Sequence, residues 1–218
     1  MPISRDVTAA PPPFSLAADR SALLIVDMQN DFVRVTAPLE VPDARATIPV
    51  IAGLAAWFRE HGRPVVYTRF LAGPERTLIW TWSPQHAPPV CCCWDGFQRA
   101  YPDVAGTRNC AAVIDELAPQ PGDLVVDKYG YGAFQRTNLL DVLLARDVDT
   151  VAVTGTVTQI CVDETARGAF EVGLKAVMVA DGVSSFAPDL HAATLKGFAM
   201  KFGRVLAADE LIAELSAT

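Results

Sequence analysis

Short apolar runs alternate along this chain with longer segments of helical period. Six runs rich in β-branched and aliphatic residues stand at 21–27, 63–69, 123–127, 149–154, 175–180 and 203–206. The first, fourth and fifth are almost continuously apolar, the pattern of strands buried on both faces of a parallel sheet. Residues 43–61 follow Pro42 and repeat Ile48, Ile51, Leu54, Ala55 and Phe58 at helical spacing. They stop at Gly62, a residue favoured just past a helix end. Further helices are predicted over 137–146 (Leu139, Leu140, Leu143, Leu144), 161–172 (Val162, Ala166, Ala169, Phe170), 187–198 and 207–215. Strand alternating with helix predicts right-handed crossovers and an open α/β sheet covered on both faces. Residues 71–109 break the pattern, being rich in Trp, Pro and Cys. They read either as a functional loop or lid, or as an irregular helix and turn. Residues 1–20, with Pro11 to Pro13, read as an extended N-terminal arm, and residues 21–218 as one domain.

Composition narrows the class. The chain has 218 residues, 51% hydrophobic and 20% charged, which suits a single large globular domain. Eighteen basic against 25 acidic residues leave a net charge of −7 with no long basic run, so nucleic acid is a poor partner. No apolar run reaches the ~18 residues of a membrane span, and the N-terminus lacks a signal-like apolar core, so a cytoplasmic protein without a membrane partner is expected. The five cysteines, three of them adjacent at Cys91, Cys92 and Cys93, suit a reducing compartment. With three histidines and no CxxC or HExxH spacing, neither a metal nor a cofactor is expected, and the adjacent cysteines read as small apolar packing.

Ligands of open α/β sheets bind beyond the carboxyl ends of the strands. Asp27 follows the first run, Lys128 the third, and the segment from Thr154 to Cys161 the fourth. Cys161 stands at a predicted helix start, where free amides and a neighbouring cation favour a thiolate nucleophile. Lys128 suits the role of that cation, and Asp27 that of a general base and then acid. Taken singly, each has a plain structural alternative: a core cysteine, a surface lysine, a turn-capping aspartate. Together they have the make-up of a nucleophilic site. A nucleotide-binding module would need a glycine-rich turn after the first strand, but Met28-Gln29-Asn30-Asp31 has no glycine. A non-catalytic scaffold stays as an alternative.

Three stretches carry a family resemblance: Val26 to Phe32, Asp127-Lys128 with Ala133, Phe134 and Thr137, and Thr154 to Val162 leading to Thr165-Ala166. In this order they resemble the isochorismatase-like cysteine hydrolases. The resemblance implies a three-layer α/β/α fold on a mainly parallel sheet of about six strands, and an Asp27, Lys128 and Cys161 triad. It also implies a cis peptide between Thr156 and Val157, and an oxyanion hole from the Val157 and Cys161 amides. Isochorismatases that cleave a vinyl ether generally lack the cysteine, and nicotinamidases carry an Asp and His metal cluster where residues 67–76 here have no histidine. Both remain alternatives. The resemblance favours the N-carbamoylsarcosine amidase, biuret hydrolase and ureidoacrylate amidohydrolase branch. It implies hydrolysis of a C–N bond in a small amide, carbamoyl or ureido compound through an acyl-enzyme, and a homo-oligomer (dimer or tetramer). Phe32, Tyr131, Phe134, Gln29, Gln159 and Arg69 are the expected substrate-binding residues, with Trp80 and Trp82 as a possible cover. A carboxylated substrate would require an Arg or Lys clamp that the sequence does not identify.

Overall fold

The run Ser21-Ala-Leu-Leu-Ile-Val26 keeps no polar side, and all six residues are buried. The structure, a computed structural model, describes residues 12–217. Its elements begin β1 (Ser21–Val26), α1 (Asn30–Val33), α2 (Ala44–Glu60), β2 (Val65–Phe70), α3 (Ile79–Trp82), β3 (Gln98–Ala100) and β4 (Thr107–Asn109). They continue β5 (Leu124–Lys128), α4 (Leu139–Leu144), β6 (Thr150–Thr156), α5 (Asp163–Glu171), β7 (Lys175–Ser184), α6 (Pro188–Lys201), β8 (Arg204–Leu206) and α7 (Ala208–Ser216). Six strands form one sheet in the order β5-β2-β1-β6-β7-β8. Every pairing in it is parallel.

Successive side chains of a strand point to opposite faces, so β1 feeds two cores. Leu23 and Ile25 join Ile51, Leu54 and Phe58 of α2 and Leu211 and Leu215 of α7. Ala22, Leu24 and Val26 join Leu139 and Leu143 of α4, Ala166 and Ala169 of α5, and Phe198 of α6. The sheet is thus the middle of three layers. The chain builds β1, β2 and β5 to one side and then returns to lay β6 against the other edge of β1. That reversal places a switch point between β1 and β6, where such sheets open a crevice.

Residues 71–109 hold short elements: single-turn α3, a 3-10 turn at Pro84–His86 and the antiparallel β3–β4 pair. The polar segment after β1 ties them down. Gln29 accepts from the Phe70 amide at 2.7 Å and donates to the carbonyls of Phe70 and Ala111 at 3.0 and 2.8 Å. Asn30 donates to the carbonyls of Asn109 and Ala112. Buried Asp31 accepts from Arg99 at 2.8 Å, Tyr101 at 2.7 Å and the Cys93 amide at 2.9 Å. A buried carboxylate needs such a full complement of donors.

Residues 1–11 of the expected arm lie outside the described residues. From residue 12 onward the chain packs on the domain: Leu16 is buried, its amide donates to Glu214, and Arg204 donates to the Phe14 carbonyl while gripping Glu214 bidentately at 2.7 Å. Among the described residues no helix is long and apolar enough to cross a membrane.

Candidate active site

Three strand ends meet at the crevice. Asp27 follows β1, Lys128 ends β5, and Cys161 follows β6. Asp27 turns the chain at φ +51°, a left-handed conformation that Asp tolerates better than most side chains. Its Oδ1 accepts from the Thr68 hydroxyl at 2.6 Å and its Oδ2 lies 2.7 Å from Lys128 Nζ. Both side chains of this ion pair are wholly buried. Lys128 also donates to the carbonyls of Gly130 and Tyr131 at 3.1 and 2.8 Å, and stands over the Phe70 ring. Burial works against the ammonium, but the negative charge of Asp27 and contact with Cys161 outweigh it, so Lys128 is held above the usual lysine range. It stays a cation.

The path to Cys161 depends on close packing. Gly155 adopts φ +107°, and a Cβ there would lie 2.0 Å from the Val26 carbonyl oxygen, so only glycine lets β6 approach the end of β1. The Thr156–Val157 peptide is cis. Residues Thr158–Val162 then form one π-helical turn before α5 begins at Asp163. Cys161 therefore sits in this wider turn, not in the first turn of a regular helix over 161–172. Extra-wide turns are often found at functional sites.

Cys161 lies close enough to Asp27 and Lys128 for both charges to act on its sulfur. Burial pushes its thiol well up; Lys128 pulls it down, and the Asp27 carboxylate pushes it up again. The expectation from sequence was a thiolate favoured by a helix terminus and a cation; in the structure burial and the Asp27 carboxylate act against that cation. Burial is the largest of these influences, and the lysine's charge is partly matched by the carboxylate beside it, so the surroundings favour the protonated thiol.

The sulfur opens on a cavity of about 340 Å³. Phe32, Phe70, Tyr131, Val157 and Ile160 line its inner wall, and Pro38, Leu39, Glu40, Ser83, His86 and Phe186 complete it. Of the expected substrate-binding residues, Phe32 and Tyr131 face this space and four do not. Arg69 is gripped bidentately by Asp127 at 2.7 and 2.8 Å. Gln29 spends its amide on the backbone of Phe70 and Ala111, so it positions a wall residue instead of forming the wall. Phe134 packs on Gly168, and with Gln159 it borders a separate surface groove. Gln159 accepts from Ser185 at 2.7 Å. Trp80 donates to the Ala72 carbonyl and stacks on Trp94, while Trp82 is 83% exposed, so neither covers the cavity.

The irregular segment nonetheless supplies Ser83 and His86 to the wall, which favours the functional-loop reading of residues 71–109. His86 and Phe70 were missed from sequence. Phe70 ends β2 and so occupies the same rim as Asp27 and Lys128, a signal that was available. His86 donates from Nδ1 to the Cys92 carbonyl, and burial holds it below the usual histidine range. Its ring lies near the buried thiols of Cys92 and Cys93, the ligand atoms of all three falling within 4.8 Å of one another. Cys92 and Cys93 belong to the hydrophobic core on the α2 side of the sheet.

The isochorismatase domain family matches residues 21–210 of the chain. A ureidoacrylate amidohydrolase from Stutzerimonas stutzeri is 31% identical, the alignment covering 92% of this chain and 85% of that protein. Among solved structures, a cysteine hydrolase from Pseudomonas syringae pv. phaseolicola superposes with a TM-score of 0.83 at 27% identity, covering 96% of this chain and 99% of that one. An N-carbamoylsarcosine amidase from Thermoplasma acidophilum gives 0.71 at 29% identity, with coverage of 87% and 97%.

Proposed function

The chain belongs to the isochorismatase domain family, and on that premise we propose that it is a cysteine-dependent amidohydrolase. Its substrate is a small amide, carbamoyl or ureido compound, cleaved at a C–N bond through a covalent acyl-enzyme on Cys161. The amidase names of two relatives support the reaction class. The observation that carries the reading is the buried Asp27–Lys128 pair whose charges act on a thiol that borders a cavity.

The reaction follows from the protonation states. Asp27 takes the Cys161 proton as the sulfur attacks the carbonyl carbon, so the thiolate exists only as the bond forms. Lys128 stays cationic and balances the negative charge as it passes from carboxylate to sulfur to oxygen. The amides of Val157 and Cys161 receive the oxyanion, each such donor contributing about 3 kcal/mol to the barrier. Protonated Asp27 then delivers its proton to the departing nitrogen, and ammonia or an amine leaves. Water attacks the thioester, Asp27 takes its proton, and the C–S bond breaks. The acid departs and the thiol is restored.

Cys161→Ala is expected to abolish ammonia release from a panel of amides and ureas while leaving the circular dichroism unchanged. Brief incubation of the wild-type protein with a turned-over amide should add the acyl mass to Cys161. An Ala variant that still releases ammonia at the wild-type rate overturns the thiol mechanism.

A further inference from the structure

We infer that this pocket selects an uncharged amide or urea bearing an apolar substituent, and discriminates against a carboxylated one. The inference rests on the amidohydrolase reading and goes on to the substrate class. It departs from the two named relatives, since ureidoacrylate and N-carbamoylsarcosine each carry a carboxylate beside the group that is cleaved.

A carboxylate moved into a part-enclosed pocket loses its hydration and must find a cation or several donors in return. Among the described residues lining this cavity, the single fully charged side chain is Glu40, which is negative. The cations around it are committed. Lys128 is 2.7 Å from Asp27 and donates to two carbonyls. Arg45 lies 2.8 Å from Glu40 and donates to the Val33 carbonyl at 2.7 Å. Arg69 is bidentate on Asp127, away from the cavity. His86, held low by burial, is neutral at pH 7 and uses its Nδ1 proton on the Cys92 carbonyl. Glu40 is fixed in its turn, accepting from the Thr36 amide at 2.8 Å. The charges thus cancel in pairs before a ligand arrives.

Beyond the charged groups the lining has the neutral polar side chains of Ser83, Tyr131 and His86, none of them a cation, and the rest is apolar surface. Phe32, Leu39, Phe70, Ile160 and Phe186 offer rings and branched carbons around about 340 Å³, the lower part of the range for small-molecule sites. A phenyl ring or a chain of four to six carbons would fill such a wall once the carboxamide reaches Cys161. Burial of that surface is the main source of affinity.

The test uses pairs of ligands that differ in one group: hexanamide with adipamate, and phenylacetamide with its 4-carboxylate. Calorimetry on the Cys161→Ala variant reads binding without turnover. Each neutral member is expected to bind at least tenfold tighter than its carboxylated partner. Protection of wild-type Cys161 from iodoacetamide should follow the same order, which keeps the test independent of how the variant folds. In wild-type ammonia release, kcat/KM should favour the neutral member at least tenfold. Equal or tighter binding of the carboxylated members, or no binding of either neutral amide, overturns the inference. Neutral amides that bind in this order but release no ammonia would leave the selectivity standing and defeat the amidohydrolase reading.

Discussion

Lys128 has neither water nor a surface to reach, so its charge is tolerable only beside Asp27. Burying one ion without its partner costs several kcal/mol, whereas replacing both with neutral groups is often close to neutral. Lys128→Met is therefore expected to destabilise the fold by about 3–5 kcal/mol as well as to abolish turnover. Adding Asp27→Asn to that variant should restore most of the lost stability and none of the activity. Urea midpoints of the two single variants and the double variant check this; a double variant as unstable as the sum of the singles would refute the pairing. The three side chains were legible because Asp27 and Lys128 stand where an apolar run stops and Cys161 follows soon after another. The state of the sulfur was not. Burial pushes the Cys161 thiol up, Lys128 pulls it down and a carboxylate brought from 134 positions away pushes it up again, and spacing along a sequence carries none of these.

Elements differ in how much of their purpose a local pattern reveals. Gln29 was expected to bind substrate, yet with Asn30 and Asp31 it forms the fastening between β1 and the irregular segment. Their partners lie 41 to 82 residues later in the chain, so no helix or strand period announces them. The glycines show the same contrast. Gly155 occupies φ +107° and its missing Cβ would strike the Val26 carbonyl at 2.0 Å, whereas Gly53 lies inside α2 with nothing within 4 Å of an added Cβ. Gly155→Ala is expected to destabilise by about 2–4 kcal/mol, since the strained conformation and the clash act together. It should also reduce turnover, because the strand it displaces leads directly to Cys161. Gly53→Ala should stabilise by about 0.5–1 kcal/mol by removing helix-interior glycine. Chemical denaturation of both variants separates the two cases, and a neutral Gly155→Ala would remove the close approach of β6 to β1 as a requirement of the site.

At the scale of the whole molecule, six strands were readable as apolar runs and their shared burial implied a parallel sheet. Their lateral order was not readable, because β1 is hydrogen-bonded to β2 and β6 through backbone groups that every residue carries. Burial also gives the molecule a collective response to pH. Desolvation raises the thiols of Cys93, Cys110 and Cys161 and the hydroxyl of Tyr101, and the Asp31 carboxylate adds to this for Cys93, Cys110 and Tyr101. In the unfolded chain a thiol gives up its proton near pH 8.5. Between that point and the raised native values the folded state binds more protons than the unfolded one, so stability must fall as pH rises. It is fully present below about pH 8 and declines by about 1.4 kcal/mol per pH unit for each such thiol above about pH 8.5. These three thiols, with Cys92 raised as well, should lower the unfolding free energy by at least about 4 kcal/mol between pH 7 and 9.5, read as urea midpoints under a reductant. Cys93→Ala should begin less stable at pH 7 but lose about a quarter to a third less over the same interval, since one of the thiol protons is no longer at stake. A stability profile that stays level to pH 9.5 would mean that these thiols ionise in the folded protein as freely as in the unfolded one. The close, dry packing of the segment that walls the cavity would then be untenable, because a buried thiolate beside Asp31 could not be sustained there.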